Sequence, residues 1–166
     1  MLDTAYSGHT DRDTVAPMYA LVLLLHSWAR WAALGLGIVA TVSAFSDRGP
    51  GSTADRWALL FTIVLDIQML LGLLLYFALS PFTAEAFRNF GAAMRNPGQR
   101  FWAVEHLSMM LLAIVVAHVG RVLARKAKTP QSKRTRQIVC YGLATIAMVA
   151  ATPWPGMANG RPLFRV

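Results

Sequence analysis

Four apolar runs, three of them longer than the roughly 20 residues that a bilayer-crossing helix needs, limit what this 166-residue chain can fold into. They fall at about residues 15–45, 56–80, 100–124 and 136–152. In hydrocarbon every backbone polar group must find its partner within the spanning structure, which leaves helices and closed barrels. The runs show none of the apolar–polar alternation of barrel strands. The expected fold is therefore all-α, a four-helix transmembrane bundle running up-down-up-down. Composition agrees, because only 14% of residues are charged, against roughly 25% in an ordinary soluble domain. The fourth run is short, so its end is expected to include the turn Pro153-Trp154-Pro155.

The connecting segments divide the chain. Residues 1–14 read as a polar arm, 15–155 as the membrane domain and 156–166 as a tail. The cluster SDRGPGST at 46–53 ends the first run, and Ser80-Pro81 ends the second. Residues 82–99 mix Phe82, Phe87, Phe90 and Met94 with Glu85, Arg88 and Arg95, the pattern of a short amphipathic helix on the membrane surface. Asn96-Pro97-Gly98 closes it. The arm has Asp3, Asp11 and Asp13 against Arg12, the reverse of a signal peptide's basic start, and the run behind it is too long for a cleaved core. It is expected to remain as a helix.

The net charge of +8 is not spread as a nucleic-acid surface would require. Arg121, Arg125, Lys126, Lys128, Lys133, Arg134 and Arg136 crowd one stretch without an acid between them. Such a loop stays on the cytoplasmic side, which puts both termini outside. The single cysteine, Cys140, has no intrachain partner, and no P-loop, Cys-x-x-Cys, His-Glu-x-x-His or c-type haem attachment motif is present.

In that orientation the first and third runs begin on the same outer side, so His26 and His106 share a membrane half. Ionisable groups at such depth are costly and usually functional. Two histidines on different helices of a bundle are what axial ligation of a b-type haem requires; each could equally satisfy a polar contact between helices. Ala29, Ala33, Gly35 and Gly37 would let a flat ring approach the first helix, and Arg30, Arg100 and Arg161 would balance its propionates. Glu105 would accept a hydrogen bond from a ligating imidazole, exchange protons at a quinone site, or pair with Arg100 or Arg161. Asp66, mid-way along the second run, is expected to pair with Arg30, with a proton path as the other reading. Gln68 is expected to bond between helices. His118, about 18 Å deeper than His106 by helical rise, is expected to bond a neighbouring helix or lie at the inner interface near Arg121. Trp28, Trp31, Trp57 and Trp102 suit interfacial belts, and Trp154 between its prolines is expected over the outer mouth.

Several of these residues recur as a set: His26-Ser27 with Arg30-Trp31; Gln68, Leu70, Gly72 and Tyr76 before Ser80-Pro81; Arg100-Phe101 leading to Glu105-His106 and Met109; Gly120-Arg121; and Pro153-Trp154-Pro155 with Arg161, Pro162, Leu163 and Phe164. In this the chain resembles, over nearly all of its length after residue 18, a family of small four-span bacterial membrane proteins catalogued as cytochrome b-like. The resemblance implies a multi-pass protein of the bacterial inner (cytoplasmic) membrane in which His26, Arg30, Glu105 and His106 share one site. A two-haem cytochrome b has two histidine pairs; this chain has one.

Two functions follow as expectations. The first is an electron-transfer subunit with one haem b near the outer face, held by His26 and His106 and exchanging electrons with quinone or a larger redox partner. The second is a cofactor-free accessory subunit of a larger respiratory or photosynthetic membrane complex. Either way the chain reads as a subunit in the lipid bilayer rather than a stand-alone enzyme.

Overall fold

The structure, a computed structural model, describes residues 3–47, 49–157 and 159–164, with side chains from Val15 onward. The side chains of the arm, His9 among them, lie outside the described residues. Among the described residues the protein is all-α. Helix α1 is Asp3–Ala44, and α2 is Thr53–Leu74, continued by a π-helical turn at Leu75–Leu79. Three short helices follow: α3 (Pro81–Arg88), α4 (Phe90–Arg95) and α5 (Pro97–Arg100). A second π turn, Phe101–Glu105, leads into α6 (His106–Arg125), and α7 is Pro130–Ala150.

Three helices are long and apolar enough to cross a membrane, Val15–Ala44, Thr53–Leu79 and Pro97–Arg125. These are the marks of a multi-pass membrane protein. The fourth run differs from expectation. Its helix starts six residues early, at Pro130, and its first two turns hold Gln131, Lys133, Arg134, Arg136 and Gln137. Only the stretch from Ile138 on is apolar, which is shorter than a bilayer needs. Thr129 starts α7 by accepting a hydrogen bond from the Ser132 amide at 3.1 Å, with Pro130 in the first turn where its missing N–H costs nothing.

Two further expectations change. The backbone of residues 3–14, read as a polar arm, is the first part of α1. The segment 82–99 is three helical pieces rather than one. Asn89 and Asn96 break it, because their side chains cap the next piece by accepting from Ala92 and from Gly98 and Gln99. Ala86 and Ala93 pack with Ala103 at the start of the third spanning segment, which seats these pieces on the bundle.

Packing runs in a ring. α1 lies against α2 and α7, α6 lies against α7, and α2 and α6 meet only lightly. α1 and α6 therefore occupy a diagonal. Small residues make the close approaches; a Cβ on Gly120 of α6 would collide with Cys140 of α7. The interior holds Ala33, Ala40, Phe61, Ala113, Ala117, Tyr141 and Ala144, while large apolar side chains such as Leu70, Phe77 and Ile146 point outward. That is a lipid-facing surface around a small-residue core.

One polar cluster fastens the α1–α2 turn to α7. Lys133 Nζ donates to Asp47 Oδ1 at 3.2 Å, to Asp55 at 2.8 Å and to the Gly49 carbonyl at 2.7 Å. Burial alone would raise the Asp47 carboxyl, but the Gly49 amide and the Lys133 ammonium hold it below its ordinary value. Burial works against the Lys133 charge, and Asp55 and Asp47 together lift it above the usual lysine range.

Candidate functional site

The diagonal helices bring the two candidate ligands together. The rings of His26 on α1 and His106 at the start of α6 lie 6.4 Å apart centre to centre, with planes at 70°. They border a largely apolar cavity of about 140 Å³. Each helix lines it at helical spacing: Leu23, His26 and Arg30 from α1; Leu65, Gln68, Gly72 and Tyr76 from α2 and its π turn; His106, Met110 and Ile114 from α6.

Each imidazole is held by one nitrogen. His106 Nδ1 is 2.9 Å from the carbonyl of Ala151, just past the end of α7. A carbonyl only accepts, so Nδ1 carries the hydrogen and the neutral ring keeps its lone pair on Nε2. His26 Nε2 is 3.2 Å from the side-chain amide of Gln68. The other nitrogen of that ring, Nδ1, is buried and has no hydrogen-bond partner, and neither has Gln68 Oε1. Turning the Gln68 amide by 180° lets Oε1 accept from His26 Nε2–H and leaves the His26 Nδ1 lone pair toward its surroundings. Gly72 makes room for this ring. A Cβ there would stand 3.2 Å from His26 Cε1.

The end expected to face outward is cationic and aromatic. The Arg161 guanidinium lies 4.8 Å from the Phe82 ring and 5.1 Å from the Trp102 ring, two cation–π contacts. Arg30 packs over Trp31 at 5.0 Å, and its Nη2 donates to the Leu163 carbonyl at 2.8 Å. Trp31 Nε1 donates to the same oxygen at 3.0 Å, and Phe164 stacks on Trp31. The tail thus folds back on the site. Tyr76 O–H donates to the Ala103 carbonyl at 2.6 Å, tying together the two π turns that flank the outer end. Such turns interrupt the regular ladder and recur at functional sites.

Several expected partners are elsewhere. Arg100 and Glu105 do not line the cavity: Arg100 Nε binds Glu105 Oε1 at 2.6 Å, with both side chains about half exposed. Five residues apart across the π turn, they satisfy each other at the interface. Of the three arginines expected there, Arg30 and Arg161 line the cavity and Arg100 does not, while the Arg100–Glu105 pair is one of the readings given for Glu105. Asp66 does not pair with Arg30; it lies 2.9 Å from His118 Nε2, because α2 turns it toward α6 and away from α1. Trp154 is not over the outer mouth. Its Nε1 donates to the Val149 carbonyl at 2.8 Å and its ring packs on Trp31, leaving the mouth to Trp102. Ala29, Ala33, Gly35 and Gly37 do not line the cavity either; Gly37 is filled by Phe61 and Thr145, and the close approach is at Gly72. Gln68, Gly72 and Tyr76 recur every fourth residue, a signal in the sequence that marks one face of α2. The carbonyls of Ala151 and Leu163 left no such trace.

Among the described residues no group of three or more His, Cys, Asp or Glu side chains is placed to hold a metal ion. Comparison with protein-family models, with curated proteins and with solved structures found no match.

Proposed function

We propose that this chain is a b-type cytochrome-like electron-transfer subunit that binds one haem between His26 and His106, near the outer face of a bacterial cytoplasmic membrane. The observation that carries the reading is the imidazole pair. If haem is bound, His26 through its unpartnered Nδ1 and His106 through the Nε2 left free by its bond to Ala151 would hold it. The ring centres stand 6.4 Å apart. The buried, unpartnered Nδ1 of His26, whose ring is seated against Gly72, fits the same group.

A bound haem supplies reversible one-electron chemistry. The chain's own residues do the rest. The Ala151 carbonyl fixes the His106 tautomer, and Gln68 orients His26. Arg30 and Arg161 offer positive charge to carboxylates at the outer end. Leu23, Leu65, Met110 and Ile114 keep water from the inner end. The bundle that holds this site is read as four crossings, with α7 the fourth, the basic 121–136 stretch in the cytoplasm and both termini outside. Electrons would be exchanged with quinone or a larger redox partner at the outer mouth.

The test is a visible spectrum of the purified protein, oxidised and then reduced with dithionite. The expected result is a low-spin b-haem spectrum that is lost in both His26→Ala and His106→Ala. A colourless wild-type protein from haem-replete cells overturns the reading.

A further inference from the structure

Arg161 is held in place by rings and by its backbone, and its charge has no acceptor. The guanidinium lies against Phe82 and Trp102, and the Arg161 amide donates to the Pro153 carbonyl at 3.0 Å. Among the described residues its side chain makes no hydrogen bond and no ion pair. The two glutamates of this end are engaged elsewhere: Glu85 accepts from Gln99 Nε2 at 3.1 Å, and Glu105 is held by Arg100. A partly buried guanidinium with five N–H groups and no acceptor is unfavourable, and the group its fork fits is an oxyanion. Besides the cavity between the histidines, Phe82, Trp102 and Arg161 border a second one of about 320 Å³. Its other walls are Asn96, Gly98 and Gln99 on one side and Asn159 and Gly160 of the tail on the other. No acid lines it. A Cβ on Gly160 would strike the Trp154 carbonyl, so the turn that presents Arg161 requires glycine.

The level of this cavity names the oxyanion. Helices α3–α5 join the second spanning segment to the third, so the cavity they border lies at a membrane surface. Phe87 and Phe90 are exposed there beside Arg88 and Arg95, the mixture of rings and cations that sits among lipid headgroups. We infer that the cavity seats the phosphate of an anionic phospholipid, with the Arg161 fork on its oxygens. Asn96 Oδ1 is occupied by the Gly98 and Gln99 amides, which leaves Nδ2 of the same side chain as a further donor. A zwitterionic headgroup brings its own cation to a site that already has one and no acid, so the anionic lipid is preferred. The seat is independent of haem. A carboxylate in the neighbouring cavity needs only some of the five N–H groups, and the rest remain for the phosphate.

The experiment is native mass spectrometry of the full-length protein, delipidated in a nonionic detergent, as phosphatidylglycerol or phosphatidylcholine is added back. The expected result is one phosphatidylglycerol retained about fivefold more tightly than phosphatidylcholine. Arg161→Gln should weaken that retention by roughly tenfold or more. Gly98→Leu keeps the arginine but pushes a side chain toward Asn159 across the cavity, and it should weaken retention as much. This second variant decides the matter if Arg161→Gln fails to fold. Arg95→Gln, exposed on α4 and outside the cavity, should change nothing. The proposal is overturned if Gly98→Leu, or a folded Arg161→Gln, retains the lipid as wild type does, or if Arg95→Gln loses it equally. Inorganic phosphate binding as tightly as the lipid would assign the cavity to a free anion instead. Loss of the lipid on haem loading would show that a propionate takes the whole guanidinium, and would also overturn it. A wild-type protein that binds no haem leaves the lipid measurements unaffected.

Discussion

His26 shows how far single residues could be read in advance. Its pairing with His106 followed from depth alone, because equal distance from the same membrane side brings two helices' side chains level. Its partner Gln68 and the glycine beside it did not follow, since the rotation of α2 about its axis is not a property of its composition. That environment makes testable claims. Gln68→Leu removes the group that orients His26 and should weaken haem retention by about 10–100-fold, measured by haem titration of the purified apoprotein. Gly72→Leu should do at least as much, because even its Cβ would sit 3.2 Å from the His26 ring. Unchanged affinity in both variants would remove Gln68 and Gly72 from the site. Asp66 and Arg100 mark the opposite lesson: Asp66, expected at Arg30, bonds His118 on α6, and Arg100, expected at the propionates, is taken by Glu105, a pairing the sequence also offered.

At the scale of elements, the helices were legible wherever apolar runs were long, and illegible where short polar devices decide. The 82–99 segment has helical composition throughout, yet two asparagine caps cut it into three pieces. The π turn at Leu75–Leu79 left no mark in composition, and it is held by Tyr76 and closed by Ser80. Tyr76→Phe should cost about 1 kcal/mol, the worth of one hydrogen bond, read as a lowered midpoint in thermal unfolding in detergent. The clamp between the α1–α2 turn and α7 is the larger effect. Lys133→Met leaves Asp47 buried without a cation and should destabilise by about 3–5 kcal/mol. The pH dependence has a definite sign. Asp47 has a folded pKa below its ordinary value of 3.8, so its stabilisation is present above that value and is lost as pH falls through the folded one. Lys133 has a folded pKa above 10.5, so its stabilisation is present below 10.5 and is lost as pH rises past the folded one. Unfolding midpoints should therefore stay level between these limits as far as the clamp is concerned. Asp47→Asn should flatten the acid limb, and an acid limb equally steep in that variant would show that other groups produce it.

Across the whole molecule, the orientation read from the basic stretch predicts that a cysteine placed at Lys128, in a Cys140→Ala background, reacts with impermeant maleimide only in inverted membrane vesicles. Reaction from the outside would reverse the topology. The sequence by itself determined the solvent and the class of fold: helices follow from apolar runs that must satisfy their own backbone in lipid, and histidine depth follows from counting residues at a fixed rise. Which helices sit on the diagonal, which way α2 turns Gln68, Gly72 and Asp66, and that the tail brings Leu163 to Arg30 and Trp31 were decided only by the tertiary structure. These depend on helix rotation and on backbone carbonyls, Ala151 and Leu163 among them, whose accepting power is the same at every residue and is assigned only when packing brings a donor near.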